Sequence, residues 1–163
     1  MYEKYRYPGE FEERSDVFVT WMPPSIGSNE HDCRVPCIEI IKNLIDHVRV
    51  HVNCGQEGAL EEARHRLSEA GIDLGKIVFT QFEDTNFYVR DNGPNVMIDD
   101  EGNRLLVNPN WSYYGVYDPA EPSMQLARQA GLHEGISLGI YDVVNSDLVS
   151  EGGDREFNGR GVL

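Results

Sequence analysis

Residues 87–94 read Phe-Tyr-Val-Arg-Asp-Asn-Gly-Pro, and residues 150–154 read Ser-Glu-Gly-Gly-Asp, followed by Asn158-Gly159-Arg160-Gly161. Each stretch sets a carboxylate, Asp91 or Glu151, beside glycine at the expected end of a strand. Glycine there lets backbone come close to a ligand or adopt positive φ, and the carboxylate beside it can point into an opening rather than pack against a sheet. On an extended backbone Arg90 and Asp91 face opposite ways, so one lines a cavity while the other anchors the scaffold. Read singly, each stretch keeps a second interpretation. Arg-Asp-Asn-Gly-Pro is also a type I or II turn whose Asp bonds its own backbone two residues on, and Glu-Gly-Gly-Asp is also a glycine bulge in a strand.

The flanking sequence alternates between strand and helix periodicity. Asp16 to Trp21 is β-rich and is stopped by Pro23-Pro24. Val35, Ile38, Ile41, Ile45 and Val48 recur at helical spacing, with Pro36 in the first turn. Arg49 to Asn53 alternates as a strand, and Glu57 to Ala70 reads as a second helix with Leu60, Ala63 and Leu67 on one face and Gly71 capping it. Strands are expected at Lys76 to Phe82, Asn95 to Ile98 and Arg104 to Val107, the last two joined by the turn-rich Asp-Asp-Glu-Gly-Asn. Residues 108–120 form an aromatic loop whose Trp111, Tyr113, Tyr114 and Tyr117 either cover a site or plug a core. A short helix from Ser123 to Ala130 ends at Gly131, and strands follow at Leu138 to Val143, Leu148 to Ser150 and from Glu156 onward. The class is α/β, one domain over residues 1–163 with no internal linker.

Composition narrows the function. The 163 residues carry 14 Lys+Arg against 28 Asp+Glu, a net charge of −14, which argues against nucleic acid and anionic membrane as partners. Hydrophobic residues at 40% suffice for a core and rule out disorder as a whole. No apolar run is long enough to span a membrane and the N-terminus lacks a secretory h-region, so a cytoplasmic protein is expected. Cys33, Cys37 and Cys54 have neither disulfide-framework nor zinc spacing, and reduced, mostly buried thiols are expected, with no metal site. Of the histidines, His65 reads as solvated and His51, alternating with apolar neighbours, as structural.

With these residues in view, Tyr88-x-Arg90-Asp91-x-Gly93-Pro94 resembles the Trp-x-Arg-Asp-x-Gly-Pro signature of the agmatine deiminase and bacterial peptidyl-arginine deiminase family, a branch of the guanidine-modifying enzymes. Glu151-Gly152-Gly153-Asp154 and the glycines through Gly161 resemble its Glu-Gly-Gly box, Asp16 to Pro24 its N-terminal Thr-Trp strand, and residues 108–119 its Asn-x-Trp aromatic loop. Tyr88 stands where most members have Trp, and Asp154 replaces the usual Asn, as in the arginine deiminase branch.

The resemblance implies a pentein-type α/β propeller, of which this chain would supply about the first half. It implies a hydrolase of guanidino C–N bonds acting on agmatine first and on free or peptidyl arginine second. Asp91 and Glu151 would bind the guanidinium, Trp21 and Tyr88 would wall it, and Arg90, Gly93, Pro94, Gly152, Gly153 and Asp154 would form the motif scaffold. A cysteine thiolate attacks the guanidinium carbon and a histidine protonates the departing ammonia, then activates water against the thiouronium intermediate; no cofactor takes part. Members carry that His and Cys beyond the Glu-Gly-Gly box, past the position of Leu163 here, so the chain alone is expected to be inactive, and to self-associate or to need a C-terminal half. The alternatives are a non-catalytic module that binds guanidinium or protein, and a complete enzyme assembled from two chains.

Overall fold

The computed structural model describes residues 2–22, 32–83 and 89–160. Tyr88, Phe87, Pro23, Pro24, His31 and Gly161 lie outside the described residues. The chain divides into two compact units, residues 14–87, and residues 1–13 with 88–163.

In the first unit the alternating stretches form β1 (Asp16–Thr20), β2 (Arg49–Asn53) and β3 (Ile77–Thr80), joined through α1 (Arg34–Leu44) and α2 (Ala59–Glu69). All three strands are parallel, in the order β1-β2-β3, with Val17 opposite Val50 and Val52 opposite Phe79. Parallel pairing needs a crossover, which each helix supplies while covering the sheet. Trp21, Ile41, Val50, Val52, Ala63 and Leu67 make the fully buried centre. Ile38, Ile41, Ile45 and Val48 pack on the core as their spacing predicts, and Val35 alone departs from that face. Cys37 and Ile41 are its buried residues, while Val35, about 200° round the helix from Cys37, is 52% exposed. Helix α2 is as its periodicity predicts, and Gly71 follows its cap in the left-handed region at φ 77°.

Charged groups in this unit are matched. Asp32 accepts from Arg34 and Arg66, which hold its carboxyl well below the usual carboxylate range. Asp16 lies 2.8 Å from His51 Nε2. Burial alone would push the Asp16 carboxyl up, but the hydrogen bonds from His51 and Ser15 and the charge of Arg49 outweigh it and bring it below the usual range. His51 is buried and stacked on Phe18, the structural role its alternation suggests.

The second unit contains α3 (Val89–Asn92), β4 (Asn95–Ile98), β5 (Arg104–Asn110), α4 (Pro122–Ser137) and β6 (Val143–Val149). The β4–β5 pair is the expected hairpin: Gly102 has φ 82°, and the Asp99 carboxylate accepts from the amides of Glu101 and Asn103. Strand β6 runs parallel to β5, with a break in register between Asn108 and Asn110 around Pro109, which has no amide to donate.

Four expectations are corrected here. Helix α4 does not stop at Gly131 but continues to Ser137, and Gly139, at φ 77°, follows it. Gly131 is a contact residue, because a Cβ there would lie 2.8 Å from the Asn92 carbonyl oxygen. Residues 138–142, expected as a strand, follow the end of α4 and form none; one strand, β6, runs from Val143 to Val149 across the gap between the two expected strands, and the described residues from Glu156 form no strand. Arg90 and Asp91 sit on a helical turn, not on an extended backbone. Neighbours there diverge by about 100° instead of pointing opposite ways, which still separates their side chains.

Two turns distant in sequence meet in this unit. Gly152 begins a one-turn 3-10 helix, Gly152–Asp154, that packs on α3 so closely that a Cβ on Gly152 would fall 1.9 Å from the Arg90 carbonyl oxygen. A Cβ on Gly153 would fall 2.8 Å from Asp91 Oδ1, and one on Gly93 2.8 Å from the Val89 carbonyl oxygen. Gly152 and Gly93 are therefore required by close packing of backbone on backbone, and Gly153 by the close approach of the Asp91 carboxylate.

Two outcomes follow for stability. Gly152→Ala forces backbone apart and is expected to cost about 3 kcal/mol or more, a fall in thermal midpoint of roughly 6–12 °C for a chain of this size; a midpoint within a degree or two of wild type would contradict the packing described. Asp16→Asn tests the sign of the Asp16 pairing. A carboxyl held low in the folded state stabilises the fold above the unfolded value of about 3.9, and that contribution disappears as pH falls through the folded value. The variant should therefore lose midpoint near neutral pH and lose progressively less below about pH 4, as calorimetry across that range would show.

Candidate functional site

The packing of the two turns puts Asp91 and Glu151 in one neighbourhood. Asp91, the third residue of α3, is 9% exposed, and Glu151, between β6 and the 3-10 turn, is 7% exposed. Asp91 does not bond its own backbone two residues on. Its Oδ1 accepts from the Gly153 amide at 2.9 Å, 62 residues further along the chain, and its Oδ2 accepts from the Tyr114 hydroxyl at 2.5 Å. Glu151 Oε1 accepts from the Tyr114 amide at 2.9 Å and from the Ser112 hydroxyl at 3.4 Å. One residue, Tyr114, thus touches both carboxylates.

Every donor just named is neutral. Among the described residues neither carboxylate enters an ion pair, and the guanidinium closest in sequence is engaged elsewhere. Arg90 turns outward to Glu10 at 2.5 Å and to Glu156 at 3.4 Å. Arg155 is buried, and its Nε donates to the backbone carbonyl of Glu151 at 3.2 Å rather than to the carboxylate. Desolvation lowers the pKa of Arg155 from its ordinary value. Arg90 therefore anchors the turn to the N-terminal segment, while Asp91 on the same turn is left facing Glu151's neighbours.

The aromatic loop divides between the two uses left open for it. Trp111 is buried against Met124 and Ala127, whereas Tyr113, Tyr114 and Tyr117 are exposed and packed ring against ring, with centroids 5.3 Å and 5.9 Å from Tyr113. Tyr113 and Tyr114 adopt φ 51° and 59°, the left-handed region that tyrosine rarely occupies. Ser112 braces the bend, its Oγ accepting from the Gly115 amide at 2.9 Å. Ser112 is a site residue that the sequence does not single out, and Tyr114 is marked there only as one of four loop aromatics that cover a site or plug a core. The one available signal was the run of aromatics ending in Gly115, which marks a tight bend but not its hydrogen bonds.

The other candidates are placed as follows. Trp21 belongs to the parallel-sheet unit, where it is 0% exposed and its Nε1 donates to Glu62 at 3.3 Å. Gly93 and Pro94 lead from α3 into β4, and Asp154 is exposed at the end of the 3-10 turn. Burial pushes the Cys37 thiol up to about 11 and the Cys54 thiol up to about 12, so neither supplies thiolate at neutral pH. None of the three cysteines forms a disulfide. His65 is exposed, 3.5 Å from Glu69, as expected.

Comparison with known proteins agrees with the motifs. Residues 6–163 match the family model described as Porphyromonas-type peptidyl-arginine deiminase. An agmatine deiminase of Pseudomonas aeruginosa is 27% identical over 166 residues, covering 98% of this chain and 42% of that protein. Among solved structures, agmatine deiminase of Enterococcus faecalis superposes with a TM-score of 0.79 at 20% identity, over 98% of this chain and 42% of that one. C. jejuni agmatine deiminase superposes with a TM-score of 0.71 at 14% identity, over 96% and 44%. The chain spans less than half the length of these relatives. Among the described residues no helix is long and apolar enough to cross a membrane. Its motifs, its mixed α/β fold and the match over nearly its whole length converge: the chain belongs to the Porphyromonas-type peptidyl-arginine deiminase family.

Proposed function

We propose that Asp91 and Glu151 bind a guanidinium group, and that the protein to which this chain contributes hydrolyses a guanidino C–N bond, of agmatine first and of free or peptidyl arginine second. The observation that carries this reading is two buried carboxylates in one cluster, each hydrogen-bonded only to neutral donors among the described residues. Buried carboxylates are costly unless a cation meets them. A guanidinium is a planar cation with N–H donors on every edge, which suits two carboxylates approaching it from different sides. The fold of the matched structures supports the further reading that the two units are successive parts of a pentein-type propeller.

In the proposed reaction the carboxylates hold the cation while a thiolate adds to its central carbon. Ammonia leaves with a proton from a histidine, and water then displaces the sulfur, so that one C–N bond is broken and one C–O bond made. The thiols at Cys37 and Cys54 do not suit this nucleophile, because burial keeps them protonated. We assign the attacking thiolate and the histidine to sequence outside these 163 residues, and this chain the role of holding the guanidinium. Tyr88 remains proposed as a wall of the site. The outer edges of β1, β3 and β6 pair with no strand among the described residues, while that of β4 is partly covered by Arg6, and such edges favour association with a second copy or with a complementary segment.

Asp91→Asn and Glu151→Gln test the assignment. Each keeps the shape, removes the charge, and presents N–H where the ligand offers only donors. Loss of one member of a buried charge pair costs about 2–5 kcal/mol, so agmatine affinity measured by titration calorimetry should fall by roughly 30-fold to several thousand-fold. The thermal midpoint should change little, because the amide oxygen of each variant can still accept from Gly153 or from Tyr114 and Ser112 while a buried charge is removed. Unchanged affinity with a large fall in midpoint would make them scaffold residues. Incubated alone with agmatine, the 163-residue chain is expected to release no ammonia; release that stops on changing Cys33 to Ala would place the nucleophile within it. Sedimentation of the chain at micromolar concentration should show self-association, and a clean monomer would contradict the role given to the sheet edges.

A further inference from the structure

Three observations meet at Tyr114. Its hydroxyl donates to Asp91 and its own amide donates to Glu151, so the relative placement of the two carboxylates is fixed by one residue. Its backbone and that of Tyr113 are held in the left-handed region, a strain that a free loop would relax. The residue is 52% exposed although its hydroxyl reaches a buried carboxylate, so its side chain runs from the surface to the site.

The bonds leave room for a ligand. A carboxylate offers roughly four lone-pair positions. Asp91 gives one position on each oxygen, to Tyr114 and Gly153, while Glu151 takes both of its donors on Oε1, and Oε2 accepts no hydrogen bond among the described residues. A guanidinium can therefore be received without displacing Tyr114.

We propose that Tyr114 is a positioning residue for guanidinium recognition, holding Asp91 through its hydroxyl and Glu151 through its amide so that their remaining acceptor positions match a planar cation. This rests on the reading of Asp91 and Glu151 as the guanidinium site and adds a residue that determines which cation fits. The strained bend is kept because the two carboxylates hold it, and the carboxylates are kept in register because the bend is rigid. An ammonium group, which is compact and asks for no planar register, gains little from this arrangement.

Tyr114→Phe removes the hydroxyl and leaves the amide, the ring and the bend. Tyr117→Phe, in the same loop and packed on the same Tyr113 ring, is the control. Calorimetric titration of the 163-residue chain with agmatine and with putrescine, the same chain ending in ammonium, gives the readout. Wild type should favour agmatine. Tyr114→Phe should lose about tenfold or more in agmatine affinity, as for a hydrogen bond to a charged group, with putrescine binding little altered and Tyr117→Phe like wild type. Equal losses for both ligands would show a merely structural residue, and tighter agmatine binding would show a plug over the site; either overturns the proposal. The carboxyl carbon resonances of Asp91 and Glu151, assigned with Asp91→Asn and Glu151→Gln, give a test without ligand: that of Asp91 should move in Tyr114→Phe with Glu151 little changed, and neither should move in Tyr117→Phe. Should wild type bind no guanidinium at all, the reading of the site falls, and these resonances still decide whether the Tyr114 hydroxyl holds Asp91.

Discussion

The contact between Gly152 and the carbonyl oxygen of Arg90 governs the rest of the site. With any side chain at residue 152 the 3-10 turn would have to stand off from α3, since a Cβ would come within 1.9 Å of that oxygen. Without one, the two backbones touch, the Gly153 amide reaches Asp91, and Glu151 at the start of the turn comes beside the same loop that Asp91 contacts. Gly131 on α4 performs the same service from the other side, letting the helix press on Asn92 and Gly93. The site is thus assembled by backbone contact, and the carboxylates are carried into place as a consequence.

The partners of these two carboxylates differ from those of several others in the molecule. The chain carries −14 net charge, and Asp99 pairs with Lys4 at 2.7 Å, Asp16 with His51 and Arg49, and Asp32 with Arg34 and Arg66. Asp91 and Glu151 accept hydrogen bonds from hydroxyls and amides alone among the described residues, with the buried Arg155 interacting with Glu151 through its charge but forming no ion pair with it. Such donors orient a carboxylate and offset part of its desolvation without neutralising it. The charge that remains is what a cationic ligand would bind to.

Much of the fold is legible from local pattern. The alternation in Arg49 to Asn53, the face of Leu60, Ala63 and Leu67, and the Asp99 to Asn103 turn report their own structure, because each is decided within a few residues. Where long-range contact decides, the sequence misleads. Gly131 reads as a helix stop but sits in the middle of α4, since the neighbour that demands it, Asn92, is remote in sequence. Val35 has the right spacing for α1 but lies at its first turn beyond the part of the face that Ile38 and Ile41 press on the core. Asp91 and Glu151 are legible as carboxylates beside glycine, whereas Tyr114 is legible only as one of four loop aromatics and its bonds to both carboxylates are not. A tyrosine in the left-handed region runs against its own preference, and only the finished site compensates it.

The central claim is that Asp91 and Glu151 together receive a guanidinium, and the most direct measurement is a crystal structure of the chain grown with agmatine. The account predicts the guanidinium between the two carboxylates, its N–H groups within hydrogen-bond distance of both, with the Tyr114 hydroxyl still on Asp91 Oδ2. Agmatine bound elsewhere, or a side chain of the protein itself filling the space between the two carboxylates, would contradict it.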